Sequence, residues 1–496
     1  MSIMDTMLTS FVPGVAARRE RSRLEADQLR TAQKIIKAYE AGGLGRRFGG
    51  LKDKPTSANT EIFRSLPRMR NRHRTLVRDN PWAQNAVRAI CTNTIGYGII
   101  GEVFSGVDMD SNLTDLWLSW AESTDCDTAG MNNFYGLQSL AMQSTSEAGE
   151  VLIRRRWRRP EDGLPVPFQI ELLEPDYLDH DKNESLPNGG RIVQGIEFNV
   201  IGKRVAYWLF SDHPGDSMMR FTNSRRVPAA DIAHMYRIDR PQQVRGVPWG
   251  HAALLTLYDL DGFEDAFLLR QKLANCFMAV EIETDPIASD DGNTENELED
   301  LEPGIIYRPR SGRELKFSSP PIAAEYGGYV DKVLYRVAAA YGVSYQALTG
   351  NLSNVNFSSG RMGWLDFQRN IQRWRKNMVI PQFCNRIGEW FFEAAELSGA
   401  SVPQDTRFEW TPPRREMIDP AKEVPPLRDA IRSGITSLPA VHREYGLHTA
   451  RILAEIERTN QELDSKNIIL DSDPRKVSAA GLTQARQPGT ELPDTD

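Results

Sequence analysis

Between Ile322 and Lys376 the apolar positions run with a helical period, lose it, and take it up again. Tyr326, Tyr329 or Val330, Val333, Val337 and Tyr341 recur at three- and four-residue steps, and Gly342 stands near the end as a stop signal. The period lapses in the uncharged run GNLSNVNF (350–357), whose Asn, Ser and Gly favour turns and solvated loops. It resumes with the stripe Phe367, Ile371, Trp374 and Met378, while Arg369, Arg373 and Lys376 fall on another face. Ser358 or Ser359 is placed to cap this second helix. Pro381 predicts a kink, after which the stripe continues through Phe383, Ile387, Trp390 and Phe391.

The remainder of the chain alternates between helical and strand patterns. A helix is predicted over QLRTAQKIIKAYEAGG (28–43), after an arginine-rich start and before a Gly/Arg loop. The pattern from Ser57 to Gly101 is helical, with one helix following Leu66-Pro67 and another opened by Pro81. Leu113 to Trp120 and Phe134 to Ser146 form short helices, and Glu150–Trp157 and Phe168–Leu173 are strands joined by a turn. A second hairpin pairs 195–199 with 205–210. A long helix is predicted from Pro248 to Cys276, then a strand to Glu283, an acidic solvated insert, and short strands at 304–309 and 314–317. After a strand near Arg407 come three helices, Glu423–Ser433, Pro439–Tyr445 and Ala450–Asp464, and a polar tail.

Composition narrows the picture. A chain of 496 residues exceeds one ordinary core and implies several subdomains. Its net charge of −7 disfavours a protein that anchors itself to DNA, because phosphate contacts call for a basic surface, but it suits a conduit through which a duplex slides. No apolar run approaches the ~20 residues of a membrane span, and the basic residues at the start follow the apolar ones, so synthesis inside the cell is expected. Cys91, Cys126, Cys276 and Cys384 lack the spacing of a zinc site or a disulfide framework and read as free thiols.

Candidate chemistry is sparse. Gly96 to Gly101 matches G-x-G-x-x-G, but a helix precedes it and no helix start follows, the reverse of a dinucleotide site. The run Arg154-Arg155-Arg156 with Arg158 and Arg159 reads as the charged face of a hairpin before it reads as a nucleic-acid site. Asp259 with Asp261, and Asp290 with Asp291, are acid pairs without ligand geometry, and the seven histidines are scattered. No phosphate loop, zincin motif or nucleophile elbow is present, so no enzyme, cofactor or metal is expected.

One family resemblance organises these pieces. YGVSYQALTGNLSNVNFSSGR (341–361) closely resembles the tunnel-loop region of lambda-type bacteriophage portal proteins. RDNPWAQNAV (78–87) with the glycine string after it, and Val227–Tyr236 with Arg240–Trp249, are similar to further stretches of that family, so the resemblance extends from about Lys37 to Ile468. It implies an α+β, mostly α portal fold that assembles as a ring, normally a dodecamer, at one capsid vertex, with double-stranded DNA passing through without sequence specificity. The regions implied are an arm (1–48), wing (49–247), first stem helix (248–277), clip (278–320), second stem helix (321–343), tunnel loop (344–358), long kinked helix (359–398), wing return (399–420), helical crown (421–470) and disordered tail (471–496). The implied partners are the terminase large subunit, a head-completion or adaptor protein and the major capsid or scaffold protein, with no membrane. The location is the virion, after assembly in the host cytoplasm. Asn351, Ser353, Asn354, Asn356 and Ser359 are expected to face the bore; Lys332, Arg336 and Arg361 line it or make surface ion pairs. The competing readings are a helix-turn-helix DNA-binding protein using 450–463, whose recognition helix carries Glu455, Glu457, Glu462 and Asp464 that phosphate would repel, or a phage morphogenesis nuclease.

Overall fold

Ile62, Leu66, Arg70, His73 and Val77 fall at helical steps and form the buried stripe of α2 (Ala58–Asp79). The helix runs through Pro67, where the sequence predicts a start after it. Proline removes the N–H that would bond the carbonyl four residues back, that of Phe63. His180 Nε2 donates to that carbonyl instead, at 2.8 Å, and the Phe63 and His180 rings stack with centroids 4.8 Å apart. The computed structural model describes residues 13–36, 55–106, 108–216, 223–275, 279–283, 313–317, 326–353, 357–413, 420–445, 447 and 449–470. The chain divides into two units, 1–57 and 58–496. The first contributes α1 (Pro13–Ile36), which begins well before the helix expected over 28–43; residues 37–43 of that expectation lie outside the described residues.

In the larger unit Asn80 caps α3 (Pro81–Thr94), its Oδ1 accepting from the Trp82 and Ala83 amides. The glycine string that follows is a structural turn. Gly98 adopts φ +119° and a Cβ there would lie 2.3 Å from the Tyr135 ring, so backbone conformation and aromatic packing account for its glycine. The chain then enters β1 (Ile100–Ser105), which pairs antiparallel with β2 (Asp108–Met109) and, three hundred residues later in sequence, with β13 (Thr406–Thr411). α4 (Ser111–Ala121) and α5 (Phe134–Ala148) lead to a second sheet, in which β3 (Glu150–Trp157) lies between β4 (Phe168–Leu173) and β10 (Ile232–Tyr236). A five-stranded meander, β5 (Glu184–Ser185), β6 (Arg191–Val193), β7 (Ile196–Phe198), β8 (Arg204–Leu209) and β9 (Arg225–Pro228), includes the predicted second hairpin. Trp117 is the hub of the core, with Phe134, Phe391 and Phe408 edge-on at 5.0, 5.1 and 4.8 Å.

The predicted helix at Pro248 opens with a 3₁₀ turn over Trp249–Ala252, and α6 proper is Leu254–Asn275. Strand β11 (Ala279–Glu283) pairs with β12 (Arg313–Phe317), so the second strand joins the one before the acidic insert; the expected strand at 304–309 and the insert itself lie outside the described residues. Next come α7 (Tyr326–Tyr341), a short α8 (Tyr345–Thr349) within the expected loop, and α9 (Phe357–Trp374). Ser358 and Ser359 therefore sit inside the first turn of α9 instead of capping it. Phe367, Ile371, Trp374 and Met378 are buried as the stripe predicts, and Arg369, Arg373 and Lys376 are exposed. Pro381 is accommodated in a π-helical segment, Arg375–Cys384, continuous with α10 (Asn385–Leu397). The chain ends in α11 (Pro420–Arg432), α12 (Leu438–Glu444) and α13 (Thr449–Ser465), with Ser437 Oγ accepting from the Ala440 amide at the start of α12. The architecture is α+β and mostly helical.

Candidate functional site

α6 and α7 form a helical hairpin sealed by aromatic rings. Phe263 lies 4.7 Å from Tyr329, and Phe267 4.4 Å from Tyr326. Below the rings Val333, Leu334, Val337, Ala338 and Tyr341 bury the inner face of α7. Gly342, at φ +74°, stops the helix, and the Val343 amide reaches back to the Ala338 carbonyl at 3.1 Å. Ser344 then caps α8, its Oγ accepting from the Ala347 amide. α8 is fastened at both ends. Asn85 of α3 donates to the Ala347 and Leu348 carbonyls, while Tyr345 stacks on Tyr335 at 4.1 Å and donates to Asp331 at 2.8 Å. From this anchored base the chain turns through Gly350, at φ +69°, into an exposed polar tip. There Asn351 Oδ1 accepts from the amide and hydroxyl of Ser353, at 3.0 and 2.6 Å.

The expected site residues divide as follows. Asn351 and Ser353 stand together on this tip, both exposed. Lys332 and Arg336 lie one turn apart on the exposed row of α7, with Tyr335 between them. Asn354 and Asn356 lie outside the described residues; Ser359 and Arg361 are on α9 but their side chains lie outside them too.

The junction between this hairpin and the α/β body holds a buried ionic cluster that sequence reading missed. Glu150, at the start of β3, is fully buried. One carboxylate oxygen accepts from Arg70 Nη2 at 2.9 Å and Arg245 Nη2 at 2.6 Å; the other accepts from His234 Nε2 at 3.0 Å and the Gly246 amide at 2.8 Å. Burial by itself would raise the Glu150 carboxyl, but Arg245, His234 and Arg70 hold it well below the usual carboxylate range. His234 is neutral: burial outweighs the nearby carboxylate and lowers it to about 4. Next to this cluster, His73 of α2 donates through Nδ1 to the Glu147 carbonyl at 2.7 Å and accepts the Tyr341 hydroxyl at Nε2, 2.8 Å away. Burial lowers His73 to about 4 as well. Gly250 fits between the two, since a Cβ there would lie 2.2 Å from both His73 Nε2 and Tyr341 Oη. The one signal in the sequence is an acid heading a strand whose next three residues are apolar; its arginine partners are 80 and 95 residues away.

Other candidate chemistry resolves into ion pairs. Arg155 is buried against Asp231 and Glu393 and lies over the Trp157 ring, and Arg156 pairs with Glu171, so two arginines of the basic run are neutralised and its central member is not on an exposed face. Asp261 accepts from Asn80 Nδ2 at 2.8 Å, while Asp290 and Asp291 lie outside the described residues. Glu174, Asp176 and His213 converge within 4.8 Å, but Arg74 already donates to both carboxylates, at 2.7 and 2.6 Å. Cys91, Cys126 and Cys384 are free and buried, and burial raises all three thiols; Cys276 lies outside the described residues.

A helical hairpin with a β unit between its arms, joined to an α/β body and followed by a polar loop and a long helix, defines a portal-type subunit. The chain belongs to the lambda family of phage portal proteins: the family described as "Phage portal protein, lambda family" matches residues 44–375. It is similar to the "Probable portal protein" of Halomonas phage phiHAP-1, 26% identical over 407 residues that cover 77% of each chain. It is also similar to "Portal protein B" of Escherichia phage lambda, 21% identical over 517 residues covering 92% of this chain and 96% of that one. Among solved structures it is similar to a chain in the neck of an empty GTA particle computed with C6 symmetry, with a TM-score of 0.47, 16% identity, and coverage of 81% of this chain and 97% of the other.

Proposed function

We propose that the chain assembles as a homo-oligomeric ring of twelve subunits that conducts double-stranded DNA through one vertex of a phage capsid. The observation that carries this reading is α6. Its inner side buries Leu257 and Leu260, yet Leu255, Tyr258, Leu268 and Leu269 on its other sides are 76, 74, 53 and 59% exposed. A helix that is apolar on more than one face needs cover on each, and in a closed ring the neighbouring subunit supplies it. In this reading α6 and α7 are the stem. The segment between them is the clip, which docks the terminase large subunit during packaging and a head-completion or adaptor protein afterwards. The α/β body is the wing, facing the major capsid or scaffold protein, and the three C-terminal helices are the crown. Asn351, Ser353, Asn354, Asn356 and Ser359 meet the duplex, and Lys332, Arg336 and Arg361 form a sparser charged set beside it. The ring is put together in the host cytoplasm, resides in the virion and is the route of DNA ejection. Its role is structural, with ATP chemistry left to the motor.

The helix-turn-helix alternative fits less well. Glu455, Glu457 and Glu462 of α13 are exposed, and such a helix repels phosphate. The test is native mass spectrometry of the nuclease-treated full chain. A closed ring, or a few adjacent ring sizes, is expected. Monomers alone across a broad range of concentration and salt would overturn the reading.

A further inference from the structure

The three C-terminal helices carry an apolar groove, lined among the described residues by α11, α12 and Leu447, and a separate apolar face on α13. α11 and α12 enclose a cavity of about 420 Å³ whose floor includes Leu427, Ile431, Val441 and Tyr445. Arg428, Arg432 and His442 also line it and give it a basic rim. Among the described residues, none of α13 lines this cavity. α13 instead presents Leu453 and Ile456, each 49% exposed, one turn apart, with the exposed Glu457 beside them. A lone amphipathic helix is marginal in water until its apolar stripe is packed.

Groove and helix are complementary in both respects: an apolar floor for an apolar stripe, and a basic rim for the acid, Glu457, that flanks the stripe. They lie on different elements of the same chain. A contact between them is therefore head-to-tail, the kind that generates a ring when the rotation closes. We propose that α13 of one subunit seats Leu453 and Ile456 in the α11–α12 groove of the next, with Glu457 facing Arg428 and Arg432. Arg428 also has Asp429 beside it at 3.2 Å, so Arg432 carries more of the pairing. The proposal rests on the ring reading above and adds to it a specific interlock between neighbours.

The test uses the full chain with Cys276→Ser. Leu438→Cys, on the groove, and Ile456→Cys, on α13, are made as separate proteins with different mass tags, assembled together and treated with a short bis-maleimide. Cross-linked pairs containing both tags are expected, and in a chain carrying both cysteines a ladder of linked subunits. Ile456→Glu in the otherwise unaltered chain should raise the concentration at which half the protein is in rings by roughly tenfold or more. A ring that yields no mixed pair, cross-links confined to single chains in the double variant, or an unchanged midpoint for Ile456→Glu overturns the interlock while the ring reading stands. If the unaltered chain forms no ring at all, both are overturned.

Discussion

The buried carboxylate of Glu150 draws Arg70 from α2, His234 from β10, and Arg245 with Gly246 from the segment beyond β10 onto one point. Removing the charge while keeping the shape leaves Arg245 buried without its carboxylate and Arg70 with Asp176 alone, 3.5 Å away. Glu150→Gln should therefore cost roughly 3–5 kcal/mol of unfolding free energy, measured by urea denaturation; a loss below about 1 kcal/mol would mean that the hydrogen bonds, not the charge, organise the junction. The two histidines set a pH dependence. His73 and His234 are held near 4 in the fold, below the ordinary value of 6.5. The unfolded chain takes up protons as pH falls through 6.5 while the folded chain does not, so stability present above that pH is lost towards 4. Each group contributes roughly 3 kcal/mol to that loss. His180, also lowered by burial, acts in the same sense, whereas Glu147, raised by burial, offsets part of it. Urea midpoints taken between pH 7 and 4.5 should fall, and His73→Gln should flatten the slope; a profile already flat in the unaltered chain would show these rings to be protonated. None of this was legible in the sequence, because what makes Glu150, His73 and His234 unusual is burial among residues far away in the chain.

At the scale of elements, periodicity carried most of the reading. The strand Phe168–Leu173 and the stripe from Phe367 to Met378 follow from local pattern, since one face of each is apolar, and Glu150–Trp157 from its β-branched and apolar start and the turn after it. Three features escaped it for one reason: local rules were overridden by distant partners. β1 has little strand signal of its own and is held by β13. α8, only five residues long, persists through Asn85 and the Tyr335–Tyr345 stack. Pro67 stands inside a helix where a break is the usual outcome, while at Pro381 the helix continues as expected, through a π segment. At Pro381 the π segment is pinned by Arg375, which donates to the Thr94 and Asn93 carbonyls at the end of α3. At Pro67 the compensation is His180, and this can be tested by a double-mutant cycle. His180→Ala leaves the Phe63 carbonyl unpaired and should cost roughly 1–3 kcal/mol. In a Pro67→Ala background that carbonyl regains a helical N–H, so the same His180→Ala change should cost less by roughly 1 kcal/mol. Equal costs in both backgrounds would show that ring stacking alone accounts for His180.

For the molecule as a whole, the proposed conduit raises the question of how an acidic protein would handle a moving polyanion. Lysines at a constriction would release counterions on each phosphate contact and create a deep well at every step of the duplex. The loop proposed to meet DNA carries Asn and Ser, and its described tip is a self-bonded turn on a base fixed to α3 and α7. Its position is thus set without charge, and its contacts with phosphate can be numerous and weak. Replacing Asn351, Asn354 and Asn356 by Lys should leave ring size unchanged, because none of the α6, α11 or α13 apolar surfaces is touched. It should increase DNA retention at low salt and slow or abort packaging, with the retention fading as salt rises. Cutting the loop to a short Gly/Ser turn should also spare the ring but impair packaging or retention, because the constriction is gone. The assay is DNA packaged per procapsid carrying each variant, with ring integrity followed by native mass spectrometry. If both variants package at the unaltered rate and hold DNA normally, the loop merely connects α7 to α9, and the duplex is guided by the exposed row of Lys332 and Arg336 or by another surface of the bore.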